Sequence, residues 1–336
     1  SCARLRDGAR EPSAPHSPAL AYHSSVELPG GRTEWSPGCA ISAIEHLSFQ
    51  SLDALLRCPL RWVFGYRAGT RSGGHSLSPL FQLNGKLGHR LVEELHQRGA
   101  FDGEAAELAG QAAALLVDLY EREAALLLRP GMAFERGQLE RQLIAAVVEL
   151  SRTLRAARLR IVAVEHPLDG THGAAQLAGR IDLIVEQAGG EQAIIDMKWG
   201  IAEYRDQLRL GRALQLALYA FAHSTKRTEG DLPSAAYFSL KQGKLFSLSS
   251  RIFDGAELVP GPSLDDTWKR ATRSLSRASM AIAAGRFPVS GLRHSCHCSR
   301  RWASPKPSSP ATFSTPPTQP ASTVSLTDSV GDAGRS

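Results

Sequence analysis

Two apolar runs, each carrying an aspartate, restrict this chain more than anything else in it. The first extends from Leu177 to Glu186 with Asp182 inside it, and the second from Ala193 to Met197 with Asp196 next to last. Gly189-Gly190 lies between them at hairpin spacing, so the runs read as adjacent antiparallel strands joined by a short turn. Side chains alternate along a strand, which sends Asp196 and Lys198 to one face and Met197 to the other with Ile195. A carboxylate and an amine are thereby held together beside a second carboxylate, Asp182.

The flanks fix the fold class. Before the strands, helical periodicity covers a short stretch capped by Ser51 (Leu52, Leu55, Leu56), then residues 85–97 (Leu87, Leu91, Val92, Leu95), 104–128 and 135–158. Pro130-Gly131 separates the last two. Ile161 to Val164 is a short β-type run. After the strands come one amphipathic helix from Asp206 to Ala222, strands at 235–240 and 244–248, and a helix over 263–284 that ends at Gly285. This order predicts an α/β fold: a central mixed sheet flanked by helices, with a helical N-terminal preface. Residues 1–46, rich in Gly, Pro, Ser and Arg, read as a linker or a remnant of an upstream domain, 47–290 as the folded domain, and 291–336 as a disordered Ser/Pro/Thr-rich C-terminal tail. The chain starts at Ser1 without a Met or a leader pattern, so it reads as a piece of something longer.

Composition narrows the partners. No run of 18 apolar residues occurs, so no spanning helix is expected. Thirty-nine basic against 33 acidic residues give a net charge of +6, which suits a polyanion. Arg152, Arg155, Arg158 and Arg160 form one basic set, and Arg205, Arg209 and Arg212 form a second; the second lies nearer the aspartates and is the favoured phosphate contact. Five cysteines in a chain without a secretion signal point to a reducing, cytoplasmic setting rather than to disulfides.

The chemistry follows from the donor atoms. Carboxylate oxygens with water suit hard divalent cations such as Mg²⁺ or Mn²⁺. Such an ion activates water and neutralises a phosphodiester, and Lys198 is placed to meet the charge that builds on phosphate. Five pieces occur in one order: Ser51-Leu52-x-x-Leu55-x-x-Cys58-Pro59, Gly85-x-x-x-His89, Gly179-Arg180-Ile181-Asp182, Asp196-Met197-Lys198 and Gln215-x-x-x-Tyr219. In this the stretch from Ser48 to Pro288 resembles the PD-(D/E)XK nuclease superfamily, and within it the RecB/AddB-like branch.

The resemblance implies a restriction-endonuclease-like core that hydrolyses DNA, with His89, Asp182 and Asp196 as metal ligands, joined by the Met197 carbonyl, and Lys198 as catalytic lysine. Gln215 and Tyr219, four apart on one helix face, either face the active site or pack the core. Glu165, at the end of the preceding strand, is either a further acid near the metal or a plain strand-end charge. Some relatives hold a 4Fe-4S cluster on four cysteines; Cys58, Cys296 and Cys298 match three of them, and Cys2 or Cys39 would have to complete the set. The branch also implies a helicase domain or subunit as partner, with work in double-strand-break repair. Two other readings stay open: a stand-alone single-strand exonuclease of the same fold, and a nuclease-derived module that binds DNA without cutting it.

Overall fold

The chain enters its sheets through short strands. In the computed structural model, which describes residues 34–35, 41, 44–69, 80–224, 232–285 and 287–288, β1 (Glu34–Trp35) is followed by β2 (His46–Ser48), which runs directly into helix α1 (Phe49–Arg57). The cap of α1 is Ser48, whose hydroxyl accepts the Ser51 N–H at 3.1 Å. The capping role expected of Ser51 therefore moves three residues upstream. Ser51 is instead buried, and its Oγ accepts the Trp62 indole N–H at 2.8 Å. Cys58, which precedes a proline, is held extended between α1 and α2 (Pro59–Trp62).

Three long helices follow: α3 (Leu80–Gln97), α4 (Ala105–Glu123) and α5 (Ala133–Ala156). The chain then builds β3 (Leu159–Pro167), β4 (Thr171–His172), β5 (Ala175–Ala178), β6 (Arg180–Gln187) and β7 (Gln192–Lys198). Helices α6 (Ala202–Arg209) and α7 (Leu214–Ser224) cross to β8 (Ala235–Ser239), followed by β9 (Lys244–Ser247), β10 (Glu257–Leu258), α8 (Leu264–Ala283) and β11 (Phe287–Pro288).

Two sequence expectations break at glycines. The run Leu177 to Glu186 is not one strand. Gly179 sits at φ +150°, and a Cβ there would lie 3.1 Å from Leu168. The chain turns at this point, so β5 pairs with β2 in a three-stranded sheet while β6 joins the main one. The helix expected from Asp206 to Ala222 is likewise two helices. Gly211 takes φ +60° between α6 and α7, its carbonyl accepts the Arg270 guanidinium at 2.8 Å, and a Cβ there would stand 2.9 Å from Pro262.

The main sheet has the order β10-β9-β8-β7-β6-β3. Strand β6 runs antiparallel to both of its neighbours, β3 and β7, while β7 and β8 are parallel and β8 and β9 antiparallel. Leu183, Val185, Ile195, Met197 and Phe238 pack under α3, α4 and α5, while Ile184, Ile194, Tyr237 and Phe246 pack under α1, α7 and α8. This mixed sheet covered by helices on both faces is the expected architecture. Helix α7 is apolar nearly all round because it lies inside the second layer, with eight of its eleven residues buried. Among the described residues no helix is long and apolar enough to cross a membrane. The expected C-terminal tail, 291–336, lies outside the described residues.

Candidate active site

The antiparallel register Leu183↔Ile195 places Asp182 opposite Asp196, one pair further along. Residues directly opposed on one face stand about 5 Å apart at Cβ, and like charges there repel. Both carboxylates are removed from water: Asp182 is 7% exposed and Asp196 0%. The Met197 N–H donates to Asp182 Oδ2 at 2.7 Å. Asp196 Oδ2 has an ion pair with Lys198 Nζ at 2.7 Å, and its Oδ1 has no hydrogen-bond donor among the described residues. Burial, and then the charge of Asp196, push the Asp182 carboxyl up to about 7.

Helix α3 brings His89 to these strands because Gly88 lets it approach closely. A Cβ at Gly88 would lie 2.6 Å from Leu240 of the β8–β9 turn. His89 Nε2 is 3.0 Å from the Met197 carbonyl and 3.7 Å from Asp182 Oδ2, and Nδ1 is 3.2 Å from Glu165 Oε1. Two acceptors facing the two ring nitrogens call for the doubly protonated imidazolium. Burial works against that charge, but Asp182, Glu165 and Asp196 outweigh it and push the pKa up to about 9. The hydrogen bond from His89, against the cost of burial, holds Glu165 below its ordinary range.

Glu165 is not at a strand end: β3 continues to Pro167, and Glu165 takes φ +48° within it. A left-handed conformation at a residue with a Cβ costs roughly 1–2 kcal/mol. The kink aims its carboxylate at His89, so that ligand atoms of His89, Glu165 and Asp182 all lie within 4.8 Å of one another. Of the two sequence alternatives for Glu165, the geometry matches the acid beside the metal-ligand group.

Lys198 is held from two sides. Opposite Asp196, the Tyr204 ring centroid lies 5.3 Å from its Nζ, within cation–π range, and Tyr204 leans on Tyr237 at 5.1 Å between centroids. Burial favours the neutral amine, but Asp196 and Asp182 prevail and keep Lys198 above its ordinary lysine value. Tyr204 was missed in the sequence because helix was expected only from Asp206. Its signal was position: it lies in the first turn of the helix that follows the Asp196/Lys198 strand.

Gln215 and Tyr219 are buried on α7 and bonded to each other, with Nε2 donating to the phenol oxygen at 3.0 Å. A Cβ at Gly179 would be 3.7 Å from that oxygen, so the pair backs the turn leading into Asp182. Burial, then the charge of Asp196, raises the Tyr219 phenol above its usual range. The pair is thus both core and neighbour of the site. Of the cluster cysteines, Cys58 is half-buried with a free thiol, and Cys296 and Cys298, like Cys2 and Cys39, lie outside the described residues.

A cavity of about 350 Å³ opens beside His89 and Glu165, lined also by Lys86, Arg90 and Arg180. Lys86 and Arg90 both pair with Glu123, whereas Arg180 is exposed and acts on Glu165 through its charge without a close ion pair among the described residues. The two arginine sets singled out in the sequence are largely consumed: Arg152 by Glu149, Arg160 by Glu186, Arg205 by Glu257 and Arg209 by Asp206.

A profile of the PD-(D/E)XK nuclease superfamily matches residues 46–303. No curated protein sequence matches at a significant level.

Proposed function

The chain belongs to the PD-(D/E)XK nuclease superfamily, whose members are metal-dependent hydrolases of nucleic acid, and from that premise we propose that it cuts DNA phosphodiesters at Asp182, Asp196 and Lys198 with Mg²⁺ or Mn²⁺. The observation that carries this reading is the Asp196 carboxylate, fully buried opposite Asp182 and with one oxygen lacking any donor among the described residues. An orphaned buried anion beside a second one is a cost that a divalent cation removes. The donors also suit a hard ion: carboxylates from Asp182 and Glu165 with one imidazole from His89, and the Asp196 carboxylate opposite Asp182. The imidazole inclines the set toward Mn²⁺.

When bound, such a cation neutralises phosphate charge and lowers the pKa of a water. The chain's own groups supply the rest. Lys198 stays protonated between Asp196 and Tyr204 and stabilises the charge gathering on the phosphate oxygens. His89 would hold the cation as a neutral imidazole, its ring fixed by the Glu165 carboxylate at Nδ1. Arg180, exposed at the cavity mouth, meets the incoming phosphate backbone.

Within the superfamily, the order of the five sequence pieces supports the RecB/AddB-like branch, with 47–290 as the nuclease domain of a cytoplasmic helicase–nuclease in double-strand-break repair. The deciding experiment is incubation of end-labelled single- and double-stranded DNA with Mg²⁺, Mn²⁺ or EDTA. Cleavage that EDTA abolishes is expected. Protein that binds DNA and cuts it under none of these conditions is a nuclease-derived binding module, and the proposal fails.

Two further outcomes follow from side chains around the site. Tyr204→Leu is expected to lower kcat about tenfold with little change in KM, since a desolvated cation–π contact is worth up to about 2 kcal/mol. Tyr204→Phe, which keeps the ring, should retain wild-type activity; an equal loss in both variants would show that the phenol matters and the ring does not. Glu165→Asn relaxes the left-handed backbone and is expected to match or exceed wild-type stability in urea by about 1 kcal/mol, while metal-dependent cleavage falls. A clear loss of stability would mean that the contact with His89 outweighs the strain.

A further inference from the structure

A groove of about 400 Å³ that does not touch the catalytic group lies between α5 and the β8–β9 turn. We propose that it is a docking track for single-stranded DNA, holding the substrate strand beyond the position of cleavage; this rests on the nuclease reading above.

Its place in the fold connects it to the site. Ser239 of β8 stands beside Lys198 of β7, and the chain continues from Ser239 straight into the turn that walls the groove. The turn is bonded to the end of the catalytic strand: Leu240 N–H donates to the Lys198 carbonyl at 2.8 Å and Lys241 N–H to the Trp199 carbonyl at 3.2 Å. The groove wall is therefore fixed to the backbone of Lys198. On the other side Gly243, at φ +63°, packs so close to α5 that an added Cβ would be 3.2 Å from Glu149 Cβ, which makes the floor firm.

The lining suits a phosphodiester strand. Arg141 and Lys241 are exposed, and neither pairs with an acid among the described residues. Glu149, the acid in the groove, is neutralised by Arg152 at 2.6 Å. Gln138, Gln142 and Gln242 add side-chain amides that both donate and accept, and so engage phosphates and base edges without demanding a sequence. Two unspent cations with amides between them give a strand an electrostatic path, in contrast to the arginine sets already matched to acids. The volume accommodates a short piece of one strand and falls well short of a duplex.

The test is binding of a fluorescein-labelled single-stranded 20-mer (a length of about 20 nucleotides, beyond any one-groove site), followed by anisotropy in EDTA, where cutting plays no part. Arg141→Ala/Lys241→Ala is expected to weaken binding about tenfold and to lower the salt slope by about 1.4, the loss of two phosphate contacts on a single strand. Arg160→Ala/Arg251→Ala removes the same net charge from arginines paired with acids outside the groove and is expected to change little. Equal weakening in the two double variants, or none in the first, would overturn the groove and leave a bulk-charge effect. With Mn²⁺ present, the groove variant is expected to raise KM for the 20-mer while cleavage of a dinucleotide stays at the wild-type rate. Wild-type protein that binds in EDTA through Arg141 and Lys241 yet cuts neither substrate would sink the nuclease reading while the groove stands.

Discussion

Asp196→Asn is expected to abolish metal-dependent cleavage, by about a thousandfold, and to leave the metal-free protein at least as stable as the wild type. The two halves have one origin. Asp182, Asp196 and Glu165 converge on the site against the cations His89 and Lys198, so metal-free protein carries an excess negative charge out of water. Asp196 has no exposure at all and an oxygen without a donor among the described residues. An amide of the same shape removes the repulsion with Asp182, and Lys198 keeps Asp182 as a neighbouring anion. The same change removes a buried carboxylate that stands opposite Asp182 with an oxygen left for the cation, and a loss of about 4 kcal/mol of transition-state stabilisation is about a thousandfold in rate. Thermal melts in EDTA and cleavage with Mn²⁺ separate the two effects. A melting point that falls by several degrees in EDTA would show Asp196 to be a structural anion whose pairing with Lys198 holds the strands together.

Divalent metal is expected to raise the melting temperature of the wild type by about 5–10 °C. A ligand that binds only the folded state at about 100 times its Kd adds about 2.7 kcal/mol, and a domain of this size gains roughly 2–4 °C per kcal/mol. Asp182→Asn and His89→Ala should lose most of that shift, because the ligand atoms of Asp182, His89 and Glu165 already lie within 4.8 Å of one another. Lys198→Met should keep the shift and lose cleavage, since an ammonium repels the cation and serves the phosphate. Titration calorimetry or a dye-based melt with Mn²⁺ gives the readout in the absence of DNA. A wild type that melts at one temperature with and without metal would exclude the donor set as a metal centre.

The sequence made the central pair legible because its logic is local. Alternation along a strand assigns Asp196 and Lys198 to one face, and a short glycine turn brings Asp182 opposite, with no knowledge of the rest of the chain. The buried faces of the long helices were readable for the same reason: Leu87, Leu91, Val92 and Leu95 are the residues of α3 that face the core. The breaks at Gly179 and Gly211 were not readable, because apolar periodicity runs through both; what ends the elements there is a close approach by Leu168 and Pro262, each distant in the fold's local pattern.

What the sequence determined by itself was the inventory and the near neighbours: the α/β order, the two aspartates, the lysine and a histidine on a helix that presents it. Tertiary structure alone decided which groups meet across the fold. It bent β3 at Glu165 to bring an acid to His89, stood Tyr204 over Lys198, and spent most of the basic clusters in ion pairs while leaving Arg141 and Lys241 without an acid among the described residues. The reason is one of range. Strand alternation and helical period act over a few residues, whereas the partner of a charge is set by whichever element packs against it, and nothing along the chain announces that distance.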